Sequence, residues 1–95
     1  MDNKPELVIY ENGDKYWYLD NKLHRTDGPA IERSNGDKYW YLYGKIHKTD
    51  GPAAEYSDGD KFWYLNDTRY NFDEWLKLTP LSGQEKLKLR LMYAD

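Results

Sequence analysis

Cysteine is absent from the chain, which excludes a disulfide framework, a thiolate metal site and a cysteine nucleophile. The fold must be held by packing alone. Long apolar runs are missing too: nothing approaches the roughly 18 consecutive residues that cross a bilayer as a helix. The opening stretch MDNKPELVIY holds one lysine and no extended apolar core, so no signal peptide is expected and a cytoplasmic protein is. There is no excess of positive charge. The formal charge of −3 disfavours nucleic acid or an anionic membrane as a direct partner. Charges of both signs alternate along the chain, as on a solvated surface. What is abundant is aromatic: ten Tyr and four Trp among 95 residues. A chain of this length forms one small domain over 1–95, and its thin core must rest mainly on those rings.

The strongest pattern is an internal repeat. NGDKYWYL at 12–19 returns unchanged at 35–42 and as DGDKFWYL at 58–65, a step of 23 residues each time. HRTDGPA at 24–30 returns at the same step as HKTDGPA at 47–53. At the third step YNFDEWL stands instead, and only Asp73 keeps phase with Asp27 and Asp50. Leu7 to Tyr10 aligns with the second half of a unit whose first half is missing.

Each unit reads as a β-hairpin. Asn12-Gly13, Asn35-Gly36 and Asp58-Gly59 are favoured pairs for a two-residue type I′ turn, in which both central residues need positive φ. A β-rich run follows each: Lys15 to Leu19, Lys38 to Leu42 and Lys61 to Leu65. A second turn comes at Asp20-Asn21-Lys22, Tyr43-Gly44-Lys45 and Asn66-Asp67-Thr68, and the chain returns through the His segment. The expected fold is mainly β: an antiparallel meander of three such hairpins over residues 5–70, closed by a small α-helical cap over 71–95. Alternation puts Trp17, Trp40, Trp63 and the leucines two residues on from them on one face. The other face carries Tyr16, Tyr39 and Phe62, then Tyr18, Tyr41 and Tyr64. The Trp/Leu face is assigned to the core. A single sheet cannot bury both faces within itself, and the surplus tyrosines are the functional clue.

In the tail, NFDEWLKL reads as a short helix with Asn71 or Asp73 as N-cap, stopped by Thr79-Pro80. Ser82 and Glu85 have capping-box spacing. EKLKLRLMY alternates like a strand, while Leu87, Leu91 and Met92 suit a helix; the cap and the lack of β-branched residues favour the helix. Such a tail suits a terminal unit that closes a repeat array.

The groups with chemistry to offer are few. His24 with Asp27, and His47 with Asp50, have the types of a general base and its orienting carboxylate, but no nucleophile recurs beside them. An enzyme rarely needs such a pair twice, whereas an architectural corner must recur. We therefore read His24, Asp27, Gly28 and Pro29, with His47, Asp50, Gly51 and Pro52, as structural corners and expect no catalysis. The two histidines stand one repeat apart, about 10 Å, too far to share a zinc ion. Neither a metal nor another cofactor is expected. Asp14, Asp37 and Asp60 form a carboxylate ladder that could imitate a phosphate backbone, though Lys15, Lys38 and Lys61 beside it offset its charge. The tyrosine ladder fits a protein interface better than a base-stacking platform, which usually has a basic groove. Tyr16, Tyr18, Tyr39, Tyr41, Phe62 and Tyr64, with Asp37 and Asp60, are the expected partner-binding residues. The edge Leu7 to Tyr10 invites pairing with a second copy.

YENGDKYWYLDNKLHRTDGPA, and most closely YGKIHKTDGPA at 43–53, resembles the MORN class of repeats in its bacterial and phage variant. The resemblance covers residues 7 to about 70 and departs at Asn21, at Asp67-Thr68 and throughout the tail. It implies a β-hairpin scaffold that binds protein or sometimes lipid and has no catalytic residues of its own. By analogy it points to a small phage- or bacteria-encoded inhibitor docking on an enzyme or nucleoprotein, antitoxin-like or directed at a defence nuclease. An acidic nucleic-acid mimic and a lipid-surface module are the alternatives.

Overall fold

In each forward run, Tyr, Trp and Phe alternate between the two faces of a pleated strand, and a glycine just before it reverses the chain. A computed structural model of the protein, describing residues 4–93, shows what these local preferences build. The forward strands are β2 (Lys15–Leu19), β5 with β6 (Lys38–Tyr39 and Tyr41–Leu42) and β9 (Lys61–Leu65). Their return partners are β3 with β4 (Lys22–Leu23 and Ile31–Glu32), β7 with β8 (Lys45–Ile46 and Ala54–Glu55) and β10 (Thr68–Tyr70). The lone first strand is β1 (Glu6–Ile9). All pairings are antiparallel, and the main sheet runs β1-β2-β4-β5-β8-β9-β10 with β3 also on β2. The fold is the expected meander of hairpin repeats with a helical cap.

The first two return strands are split, and the split explains the His-x-x-Asp-Gly-Pro segment. Trp17 accepts the N–H of His24 at 3.0 Å and donates its own N–H to Ala30 at 2.8 Å. Residues 25–29 are therefore looped out from a line that leaves and rejoins at one forward residue. Trp40 holds His47 and Ala53 in the same way, at 3.0 and 2.8 Å, looping out 48–52. The heptad is a detour over the Trp face rather than a corner. Ala30 and Ala53 are fully buried where the detour closes, and Pro52 is also fully buried.

The two turns exchange the roles expected of them. Among Asn12, Asn35 and Asp58 none has positive φ; only Gly13, Gly36 and Gly59 do, at 94°, 101° and 97°. Gly13 donates to Tyr10 and Tyr10 to Asp14, both at 2.9 Å, which is a three-residue loop with glycine in the bulge position. The reason is local: Asn12 Oδ1 accepts the N–H of Asp14 at 3.0 Å, fixing Asn12 as the last residue of an ordinary turn. The type I′ turns are the second ones. Asp20 and Asn21 have φ of 50° and 64°, Tyr43 and Gly44 48° and 83°, Asn66 and Asp67 48° and 72°.

The tail leaves the sheet where the third detour would begin. Asn71 caps α1 (Phe72–Leu78) by accepting the N–H of Glu74 at 2.9 Å, and Thr79 ends it. The Ser82/Glu85 box forms reciprocally, at 3.1 Å in both directions, and opens α2 (Gly83–Tyr93), so the alternating segment is a helix. Its apolar residues do not share one buried side: Leu89 is buried, while Leu87, Leu91 and Met92 are exposed. Trp75, Leu76 and Leu89 pack on Trp63, with Leu65, Phe72 and Tyr93 around them. The expectation of a continuous Trp/Leu core is corrected here. Only Trp63 is sealed by the cap; Trp17 lies under the Arg25 guanidinium at 3.8 Å and Trp40 under the Lys48 ammonium at 3.9 Å. Among the described residues no helix is long and apolar enough to cross a membrane.

Candidate functional site

The face opposite the cap is built by register. Val8 lies opposite Tyr16, Tyr16 opposite Ile31, Ile31 opposite Tyr39, Tyr39 opposite Ala54 and Ala54 opposite Phe62, one unbroken row across the sheet. The second row is broken by the detours into Tyr18 with Leu23, Tyr41 with Ile46 and Tyr64 with Arg69. Small or branched residues between the large rings let the rings lean over them. Ile31 is 7% and Ala54 2% exposed as a result. All six expected rings (Tyr16, Tyr18, Tyr39, Tyr41, Phe62 and Tyr64) share this face. None of them belongs to the cluster packed by the cap.

Two residues not singled out from the sequence extend the face. Tyr10 meets Tyr16 edge-on at 5.0 Å, and Tyr56 meets both Tyr39 at 5.7 Å and Phe62 at 5.4 Å. The signal was the period of two: Tyr10 follows Val8, and Tyr56 follows Ala54, on the same side of their strands. Tyr16 and Tyr18 stack at 6.3 Å. The hydroxyls of Tyr10 and Tyr18 lie 3.5 Å apart, and that contact first, then burial, pushes Tyr18 up to about 12. Burial, then the neighbouring Tyr56 hydroxyl, pushes Tyr39 up to about 12. Burial followed by the Asp67 carboxylate raises Tyr41 as well. These phenols stay neutral donors far into alkali. Hydroxyl-bearing rings dominate this face, and at its last unit the Arg69 guanidinium lies over Phe62 at 5.2 Å.

The carboxylate ladder has internal duties. Asp14 accepts the N–H of Ser34 at 2.8 Å and Asp37 that of Ser57 at 2.7 Å, each clamping the next repeat's first turn. Asp60 has no such turn to hold among the described residues and is exposed. Asp37 and Asp60 thus sit at the turn end of the sheet, off the tyrosine rows, and Asp37 has both oxygens engaged, one by the Ser57 N–H and the other by the Asn35 amide.

The histidines act in parallel on the second turns. His24 Nδ1 accepts the N–H of Tyr43, and His47 Nδ1 that of Asn66, both at 2.9 Å. Only an unprotonated ring nitrogen can accept in this way. The carbonyls of Leu23 and Ile46 accept the next N–H of each turn, Gly44 at 2.8 Å and Asp67 at 2.9 Å. His24 is buried, and its ring packs 4.2 Å from that of Tyr43. Asp27 pairs with Arg25 at 2.9 Å, and Arg25 reaches Glu32 at 2.8 Å, holding the cation over Trp17. Gly28 leaves room for it: a Cβ there would stand 2.9 Å from the guanidinium carbon. In the second detour Gly51 lies beside Lys48, whose pKa is lowered by burial, partly offset by the Asp50 and Glu55 carboxylates. His24, Asp27, Gly28, Pro29 and their copies therefore share the Trp side, away from the tyrosines.

No family model, curated protein or solved structure matches this chain. Its functional reading rests on its own surfaces. A groove of about 450 Å³ lies between the detours, floored by Trp40 and Leu42 and bounded by Arg25, Asp27, Lys48 and Asp50. Arg25 and Asp27 are an ion pair, Lys48 lies over the Trp40 ring, and part of the wall is the structural His47. The ladder rings of the tyrosine face lie outside the cluster packed by the cap.

Proposed function

We propose that this protein is a non-enzymatic protein-binding module that captures a partner on its tyrosine face, acting as a small inhibitor of an enzyme or nucleoprotein. The observation that carries the reading is the placement of the cap. It packs on Trp63 and leaves all six ladder rings outside its cluster. Tyrosine supplies large contact area at low conformational cost and is enriched where binding energy concentrates. The repeat's likeness to MORN arrays supports a scaffold role, since such arrays display side chains at a fixed pitch. Mimicry of nucleic acid loses its footing, because Asp14 and Asp37 each hold a neighbouring turn.

The test is capture from lysate of the native host, identification by mass spectrometry, and titration of the protein found. Tyr41→Ala is expected to weaken that complex roughly ten- to thirtyfold while thermal unfolding stays cooperative. Unchanged affinity across Tyr16→Ala, Tyr39→Ala, Tyr41→Ala and Tyr64→Ala would sink the proposal.

A further inference from the structure

The two ends of the array are complementary. Inside the chain, the first half of each forward strand is flanked by the second half of the return strand that follows it in its own unit. Lys15 and Tyr16 face Glu32 and Ile31, and Lys38 and Tyr39 face Glu55 and Ala54. At the last unit this neighbour is missing. β10 pairs with β9 only from Tyr70 opposite Trp63 to Thr68 opposite Leu65, so among the described residues Lys61 and Phe62 have no strand on that flank.

Two further observations mark the same vacancy. Asp60 stands in phase with Asp14 and Asp37, yet receives no N–H from a following turn among the described residues. A Cβ on Gly13 or Gly36 would touch the next unit's serine, at 3.5 and 3.4 Å, whereas one on Gly59 would meet nothing within 4 Å among the described residues. The flank of the last turn is open.

At the other end, β1 is a return strand by phase: Val8 and Ile9 align with Ile31 and Glu32, and with Ala54 and Glu55. Glu11 aligns with Ser34 and Ser57. The outer edge of β1 is unpaired among the described residues, with Leu7, Val8 and Ile9 46%, 37% and 60% exposed. We infer that β1 of a second copy docks beside β9 as the missing return strand, head to tail, with Ile9 opposite Lys61 and Val8 opposite Phe62. The N–H of Glu11 then reaches the Asp60 carboxylate, as those of Ser34 and Ser57 reach theirs. A strand followed at that distance by a glycine turn is what the flank fits, and this chain carries one, with Glu11 in the place of the interior serines. The contact is heterologous, so each added copy presents the same open flank again.

The register makes a prediction of unusual sign. In the interior a glutamate faces each lysine; at the junction Lys61 faces Ile9. Ile9→Glu restores the cross-strand pair and should strengthen association roughly two- to fivefold. Sedimentation of the full chain over a concentration series reads this directly. The expected results are mass that climbs past the dimer, a gain with Ile9→Glu that Lys61→Glu reverses, and a loss with Asp60→Ala, an exposed position that does not endanger the fold. A symmetric pairing of two β1 edges would instead stop at the dimer and weaken with Ile9→Glu, since two carboxylates would enter one apolar edge. That outcome, or a monomer at every concentration, overturns the inference.

Discussion

At the residue scale, one imidazole and one carboxylate per unit tie each repeat to the next. Tyr43 shows what the histidine has to hold. A bulky residue at φ 48° is unfavourable by about 1–2 kcal/mol, and the turn is kept by the Nδ1 of His24 and by the packing of the two rings. His24→Ala leaves the N–H of Tyr43 without that acceptor and is expected to cost roughly 1–3 kcal/mol, read from the shift in urea midpoint. Asp14 gives a pH signature. The N–H of Ser34 holds its carboxyl below the usual carboxylate value, with the Asn12 amide assisting and burial opposing. A carboxyl that binds its proton less readily when folded adds stability above its unfolded pKa, and that stability fades as pH falls through the lowered value. Asp14→Asn should therefore melt below the parent at neutral pH, with the gap in Tm closing in acid.

Elements here are short, and what secures them is contact with other elements. α1 has seven residues, too few to stand alone, and it docks through its side chains. Trp75 is fully buried against Trp63, and its indole N–H reaches the Lys48 carbonyl at 3.1 Å, while the Thr79 hydroxyl donates to the Thr49 carbonyl. The cap thus satisfies two carbonyls of the second detour as it covers the third tryptophan. Trp75→Ala is expected to cost about 3–5 kcal/mol in denaturant unfolding, with Trp63 emission shifting toward that of exposed indole. Much of this scale was legible beforehand: the forward strands, the Asn71 cap and the Ser82/Glu85 box all follow from neighbouring residues. The turns were not. Asn-Gly favours type I′ locally, but Asn12 is fixed by its bond to Asp14; type I′ falls at the second turns, where a histidine of the preceding unit holds Tyr43 and Asn66, although Asp20 adopts the same conformation with no such clamp among the described residues. The detour was hidden for the same reason, since both its ends bond one residue, Trp17, that is not a chain neighbour.

For the whole molecule, the 23-residue phase is the organising fact, and it is visible without coordinates. What it could not decide was which face the cap would cover, because both faces are aromatic. The choice was made by Trp75 and Phe72, which meet Trp63 at 4.6 and 4.8 Å. Phe72, Trp75 and Thr79 of the cap dock on the second and third units, so a shorter array should still close. Removing residues 24–46, which joins Leu23 to His47 in phase, is expected to give a cooperatively folding protein with its cap docked, seen by circular dichroism and a single thermal transition. Removing one residue fewer shifts the pleat and turns the faces over; that variant should not fold cooperatively.

The clamps all run one way along the chain. His24 and Asp14 steady the turns that come after them, and His47 and Asp37 do the same one unit later. The array therefore has a polarity that its antiparallel ladder lacks: every hairpin leans on its predecessor. Among the described residues the leading hairpin receives no such clamp, so a matching unit joined ahead of it would brace a turn that now holds by its own residues alone.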